Sequence, residues 1–91
     1  MKPYRDVFGN PLKKDDIRFA VQAMSNNKNT SPVMLNRLTR LGIGKANKIL
    51  MLFQDAKVVT APAADGKRVV LLKGDPAINA ALRQLRKGRK Q

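Results

Sequence analysis

Apolar positions follow two rhythms along the chain: a three- and four-residue spacing that marks helices, and short β-branched runs that mark strands. From Asp15 onward Ile17, Ala20, Val21 and Met24 keep the helical spacing, with Phe19 widening the stripe, and the acidic start suits a helix amino terminus. Ser25 to Thr30 is a polar run whose side chains compete for nearby backbone groups, so it reads as a loop. Ser31-Pro32 then has the form of an N-cap followed by proline at the first helical position, and Val33, Met34, Leu35 and Leu38 carry a stripe to about Thr39. Leu41-Gly42-Ile43-Gly44 reads as a tight turn, with Gly42 free to take a positive φ at the helix end and Gly44 just ahead of the next helix. Lys45 to about Ala56 predicts a third helix, with Ala46, Ile49, Leu50 and Phe53 on one face and Lys45, Lys48 and Leu52 on the other.

Val58-Val59-Thr60 and Arg68 to Leu72 flank a segment containing Asp65-Gly66, a strong turn signal, and together predict a hairpin with a basic tip. Asp75-Pro76 repeats the cap logic, and Ala77, Ile78, Ala81, Leu82 and Leu85 mark one face of a fourth helix that runs into a basic end. Residues 1–13, with Pro3, Gly9 and Pro11, read as an amino-terminal arm that Tyr4, Val7 and Phe8 pin to the core. Residues 14–74 then form the domain proper, and 75–91 a carboxy-terminal helix and tail.

At 91 residues and 43% hydrophobic, the chain has material for one small core and no internal repeat. Lys and Arg number 19 against 6 acids, a net +13 that favours a polyanionic partner. The absence of Cys and His removes thiol nucleophiles, thiolate and imidazole metal sites and the usual neutral-pH proton shuttle. All six acids are Asp, and Asp15, Asp16, Asp65 and Asp75 stand where caps and turns use them. The expectation is therefore a protein that is not an enzyme, uses no cofactor and binds no small-molecule substrate. The apolar runs fall far short of the roughly 20 residues that span a bilayer, so a cytoplasmic, nucleoid-associated location is expected.

The element order predicts a mainly α fold with a small β-hairpin: a winged helix-turn-helix of three helices plus wing, with an additional C-terminal helix. In that arrangement the third helix enters the major groove of double-stranded DNA. Lys45 and Lys48 can donate to guanine N7 and O6, and Asn47 can pair bidentately with adenine. Asn36, Arg37 and Arg40 on the second helix would face the backbone, and Lys67 and Arg68 at the hairpin tip a neighbouring phosphate or minor groove. Ser31 and Gly44 complete the candidate DNA-binding set.

Leu35-Asn36-Arg37 followed by Arg40-Leu41-Gly42-Ile43-Gly44-Lys45-Ala46-Asn47-Lys48-Ile49 resembles the DNA-binding gamma domain of FtsK/SpoIIIE-type chromosome translocases, which has Leu-Gln-Arg and then Arg-Ile-Gly-Tyr-Asn-Arg-Ala-Ala-Arg-Leu. Val58-Val59-Thr60 sits where that family has Gly-Ile-Val-Ser before its wing, and Asn10-Pro11-Leu12 where it has Asp-Pro-Leu. The resemblance implies a winged helix on duplex DNA. It does not carry the family's guanine-rich site, because the positions of the Asn and two Arg that read it are here Gly44, Lys45 and Lys48. No G-x-x-x-x-G-K-[ST] phosphate loop accompanies the domain.

The reading that follows is a sequence-preferring double-stranded DNA-binding protein, a transcriptional or DNA-maintenance regulator acting as monomer or homodimer. Two alternatives differ in class. RNA or single-strand binding calls for stacking aromatics, which are 4% of the chain, with Phe19 and Phe53 at core-facing positions. A winged-helix protein-interaction adaptor would use the same fold as a docking face.

Overall fold

Two acids at its start and a polar run at its end bound the first helix of the computed structural model, which describes residues 12–89. Helix α1 spans Lys14–Met24, with Asp15 and Asp16 in the first turn, where the exposed N–H groups favour negative charge. It stops where Ser25 Oγ donates to the Gln22 carbonyl at 2.8 Å. Ile17, Ala20, Val21 and Met24 are buried, whereas Phe19 is 46% exposed. At 100° per residue Phe19 lies about 150° from the centre of that stripe, so it faces water and does not widen the stripe.

Part of the predicted loop is a strand. Asn29–Thr30 forms β1 and pairs antiparallel with β2, Arg68–Val69, with Asn29 opposite Val69 and Thr30 opposite Arg68. Two residues at the end of a polar run are too short a signal for a strand; the partners 38 and 40 positions away supply the pairing.

Helix α2, Pro32–Thr39, begins as its capping residues dictate, with Ser31 Oγ accepting from the Met34 N–H at 3.1 Å. Of its apolar residues Leu35 is buried, while Val33 and Leu38 are exposed. Arg40 takes a left-handed conformation at the helix end and its N–H reaches the Asn36 carbonyl. Gly42, at φ 101°, starts the next helix at once, so α3 spans Ile43–Asp55 and Gly44 lies inside it, not ahead of it. Ala46, Ile49, Leu50 and Phe53 are buried as the spacing predicts, and so is Leu52, which was expected on the exposed face.

Lys57, at φ 63°, reverses the chain after α3. The returning residues make a hairpin reduced to one bridge, Val59 opposite Val70, with the Thr60 N–H donating to the Val69 carbonyl at 3.0 Å and the Leu71 N–H to the Val58 carbonyl at 2.8 Å. Residues 68–70 thus lie between 58–60 and 28–30, and the Val70 N–H is taken by the Lys28 carbonyl. The intervening 61–67 loop closes through Ala63 N–H to Lys67 carbonyl and Gly66 N–H to Ala63 carbonyl bonds, with Gly66 at φ 84°.

Helix α4, Gly74–Arg89, starts one residue before Asp75, so Asp75 sits in the first turn and is not the cap. It packs chiefly along α1 and also on α3, and Ala77, Ala81 and Leu85 join the single core cluster that contains Leu52. That wider cover explains the burial of Leu52; Met51 remains 40% exposed. Leu12, at the end of the predicted arm, is buried in the same cluster. Tyr4, Val7 and Phe8, and the last residues of the tail, lie outside the described residues. The architecture is mainly helical with a small antiparallel sheet, and among the described residues no helix is long and apolar enough to cross a membrane.

Candidate nucleic-acid interface

Three segments distant in sequence converge on one open groove of about 650 Å³. Ser31, Pro32 and Val33 come from the start of α2, Ile43, Gly44 and Asn47 from the first turns of α3, and Asp65, Gly66 and Lys67 from the 61–67 loop. The Ser31 cap fixes where α2 begins, and the turn between the helices fixes where α3 begins. Of the residues expected at a DNA surface, Ser31, Gly44, Asn47 and Lys67 therefore share one concavity.

Arg37 and Arg40 are exposed on and after α2, and Lys48 is half-buried one turn beyond Gly44 along α3. These three flank the groove's helices without lining it. Asp65 is the acid among the lining residues, and its Oδ1 accepts the Lys67 N–H at 3.0 Å, which ties the carboxylate to its own turn.

Three expected contacts are otherwise engaged. Asn36 Oδ1 accepts the Gly42 N–H at 2.9 Å, so this side chain clasps the turn between α2 and α3 instead of facing a backbone. Lys45 Nζ sits 3.2 Å from Asp16 Oδ2 on α1, which turns it away from the face that carries Gly44 and Asn47. Arg68 is 6% exposed; its Nη1 donates to Gln54 Oε1 at 2.5 Å and to the Thr60 carbonyl at 3.2 Å. It is a strut between the end of α3 and the strand, not a tip residue, and burial holds its guanidinium below the usual arginine range.

No family model, curated protein or solved structure matches the chain.

The sequence reasoning missed Val33 and Ile43, large apolar residues left in water at the groove. The signal was present for Val33, which stands two positions before the buried Leu35, about 200° around the helix. Ile43 was hidden by its place in an apparent turn. A second cavity of about 300 Å³ lies between α1 and α4, lined by Lys14, Asn79, Leu82, Arg83, Leu85 and Arg86, and shares no residue with the groove.

Proposed function

We propose that the chain is a winged helix-turn-helix protein that binds double-stranded DNA, with α3 entering the major groove and the 61–67 loop acting as the wing. The observation that carries this reading is the convergence of the α2 amino terminus, the first turns of α3 and the loop on one groove of a chain with net charge +13. Asn47 faces base edges, while Arg37, Arg40, Lys48 and Lys67 neutralise phosphates on either side. The strand pairing of residues 28–30 with 68–70 and the Arg68–Gln54 bond hold the wing at a fixed angle to α3, so both can engage one duplex. The protein works as a binding module, without catalysis or cofactor, as a nucleoid-associated regulator or maintenance factor.

Affinity for a random duplex measured against salt tests this. The log-log slope is expected to be about −0.9 per phosphate contacted, and Arg37→Ala and Lys67→Ala each flatten it by about one contact. A flat dependence overturns the proposal.

A further inference from the structure

Ile43, Asn47 and Met51 stand four residues apart and form a line along α3, one helical turn between neighbours. The middle residue is an exposed amide, and the outer two are apolar side chains with 51% and 40% of their surface in water. Val33, 60% exposed, lines the groove with Ile43 and Asn47. A helix that read guanine would present arginine or lysine along this line, yet Lys45 is paired with Asp16, Lys48 is half-buried and outside the groove lining, and the cation lining the groove, Lys67, belongs to the loop. The face suits a base edge with an apolar group beside a donor–acceptor pair.

In the major groove that edge is the A·T pair: adenine offers N7 as acceptor and N6 as donor to an amide, and thymine alone carries a C5-methyl. Residues one helical turn apart are separated by about 5.4 Å, within two base-pair steps of about 3.4 Å, so adjacent pairs fall within reach of one line of side chains. Resting on the duplex-binding reading above, we infer that this protein prefers A·T-containing sites, with Asn47 pairing to adenine and Ile43, supported by Val33, seated on a thymine C5-methyl.

The test uses the full chain and three duplexes of equal length: alternating dA-dT, the same with deoxyuridine in place of every thymidine, and alternating dG-dC. Deoxyuridine removes the methyl and leaves the hydrogen-bonding edge intact. Wild-type protein is expected to bind the thymidine duplex about four-fold more tightly than the deoxyuridine duplex for each methyl contacted, the equivalent of burying one such carbon. Ile43→Ala is expected to bind both equally with the salt slope unchanged, and Asn47→Ala to keep the thymidine-over-deoxyuridine ratio while its preference over dG-dC shrinks to what the methyl contact supplies. Ile43 is exposed enough for the alanine variant to fold, which circular dichroism checks. Equal wild-type affinity for the thymidine and deoxyuridine duplexes, with a steep salt slope, overturns this inference and leaves duplex binding standing. Retained discrimination in Ile43→Ala also overturns it. Failure to bind any duplex overturns both readings.

Discussion

Replacing Arg68 by Met separates a structural arginine from a nucleic-acid contact. The side chain is 6% exposed and donates from Nη1 to Gln54 Oε1 and the Thr60 carbonyl, while its Nε is buried without a partner among the described residues. Hydrogen bonds from a charged donor contribute roughly 1.5–3 kcal/mol each, and losing them here strands two acceptors. Met fills the volume and removes the unpartnered Nε, which offsets about 1 kcal/mol. The expected net loss is about 3 kcal/mol, a large share of the roughly 5–15 kcal/mol that holds a small domain together. That corresponds to a Tm lower by roughly 12–24 °C, read by far-ultraviolet circular dichroism during heating, with a matching shift of the urea midpoint. At a temperature where the variant is folded and the pairing of residues 28–30 with 68–70 still carries the wing, its salt slope on duplex DNA should equal that of wild type, whereas Lys67→Ala flattens its slope. A variant as stable as the parent but with a slope reduced by about 0.9 would show that Arg68 swings out to a phosphate, and would refute the reasoning.

Asn36→Ala should cost about 1 kcal/mol and speed hydrogen exchange of the Gly42 amide, while Asn36→Asp, which keeps the acceptor, should retain the protection. Lys45→Ala removes a partly exposed ion pair with Asp16, so chemical denaturation should register less than about 1 kcal/mol and the preference among duplexes should not change. Leu85→Ala should destabilise by about 2–4 kcal/mol, because α4 belongs to the core; an unchanged unfolding midpoint would make that helix an appendage.

Much of the helical framework is written locally. Ser31-Pro32 starts α2 because a hydroxyl oxygen takes an orphan N–H and proline supplies the right φ, both decided within four residues. Gly42 and Gly66 occupy positive φ for equally local reasons. The spacing of Ile17, Ala20, Val21 and Met24 names the buried face of α1, because a helix of 3.6 residues per turn has one stripe to hide. The same arithmetic, applied strictly, puts Phe19 in water.

The candidate site was less legible, since a charged residue's role depends on what lies within a few ångströms after folding. Lys45 meets Asp16 from another helix, 29 positions away, and Arg68 meets Gln54 and Thr60. Neither partner can be read from the basic residue's own neighbours. Strand β1 is invisible in Asn29-Thr30 because the residues it pairs with, Arg68 and Val69, lie far along the chain. Sequence alone determined a basic, four-helix chain with the Ser31 cap and the turns at Gly42 and Gly66 in place. Tertiary structure decided that Lys45 and Arg68 are engaged inside the fold and joined Ser31, Val33, Ile43, Asn47 and Lys67 around one groove, because only packing brings the 61–67 loop onto helix starts about 20 to 35 positions before it.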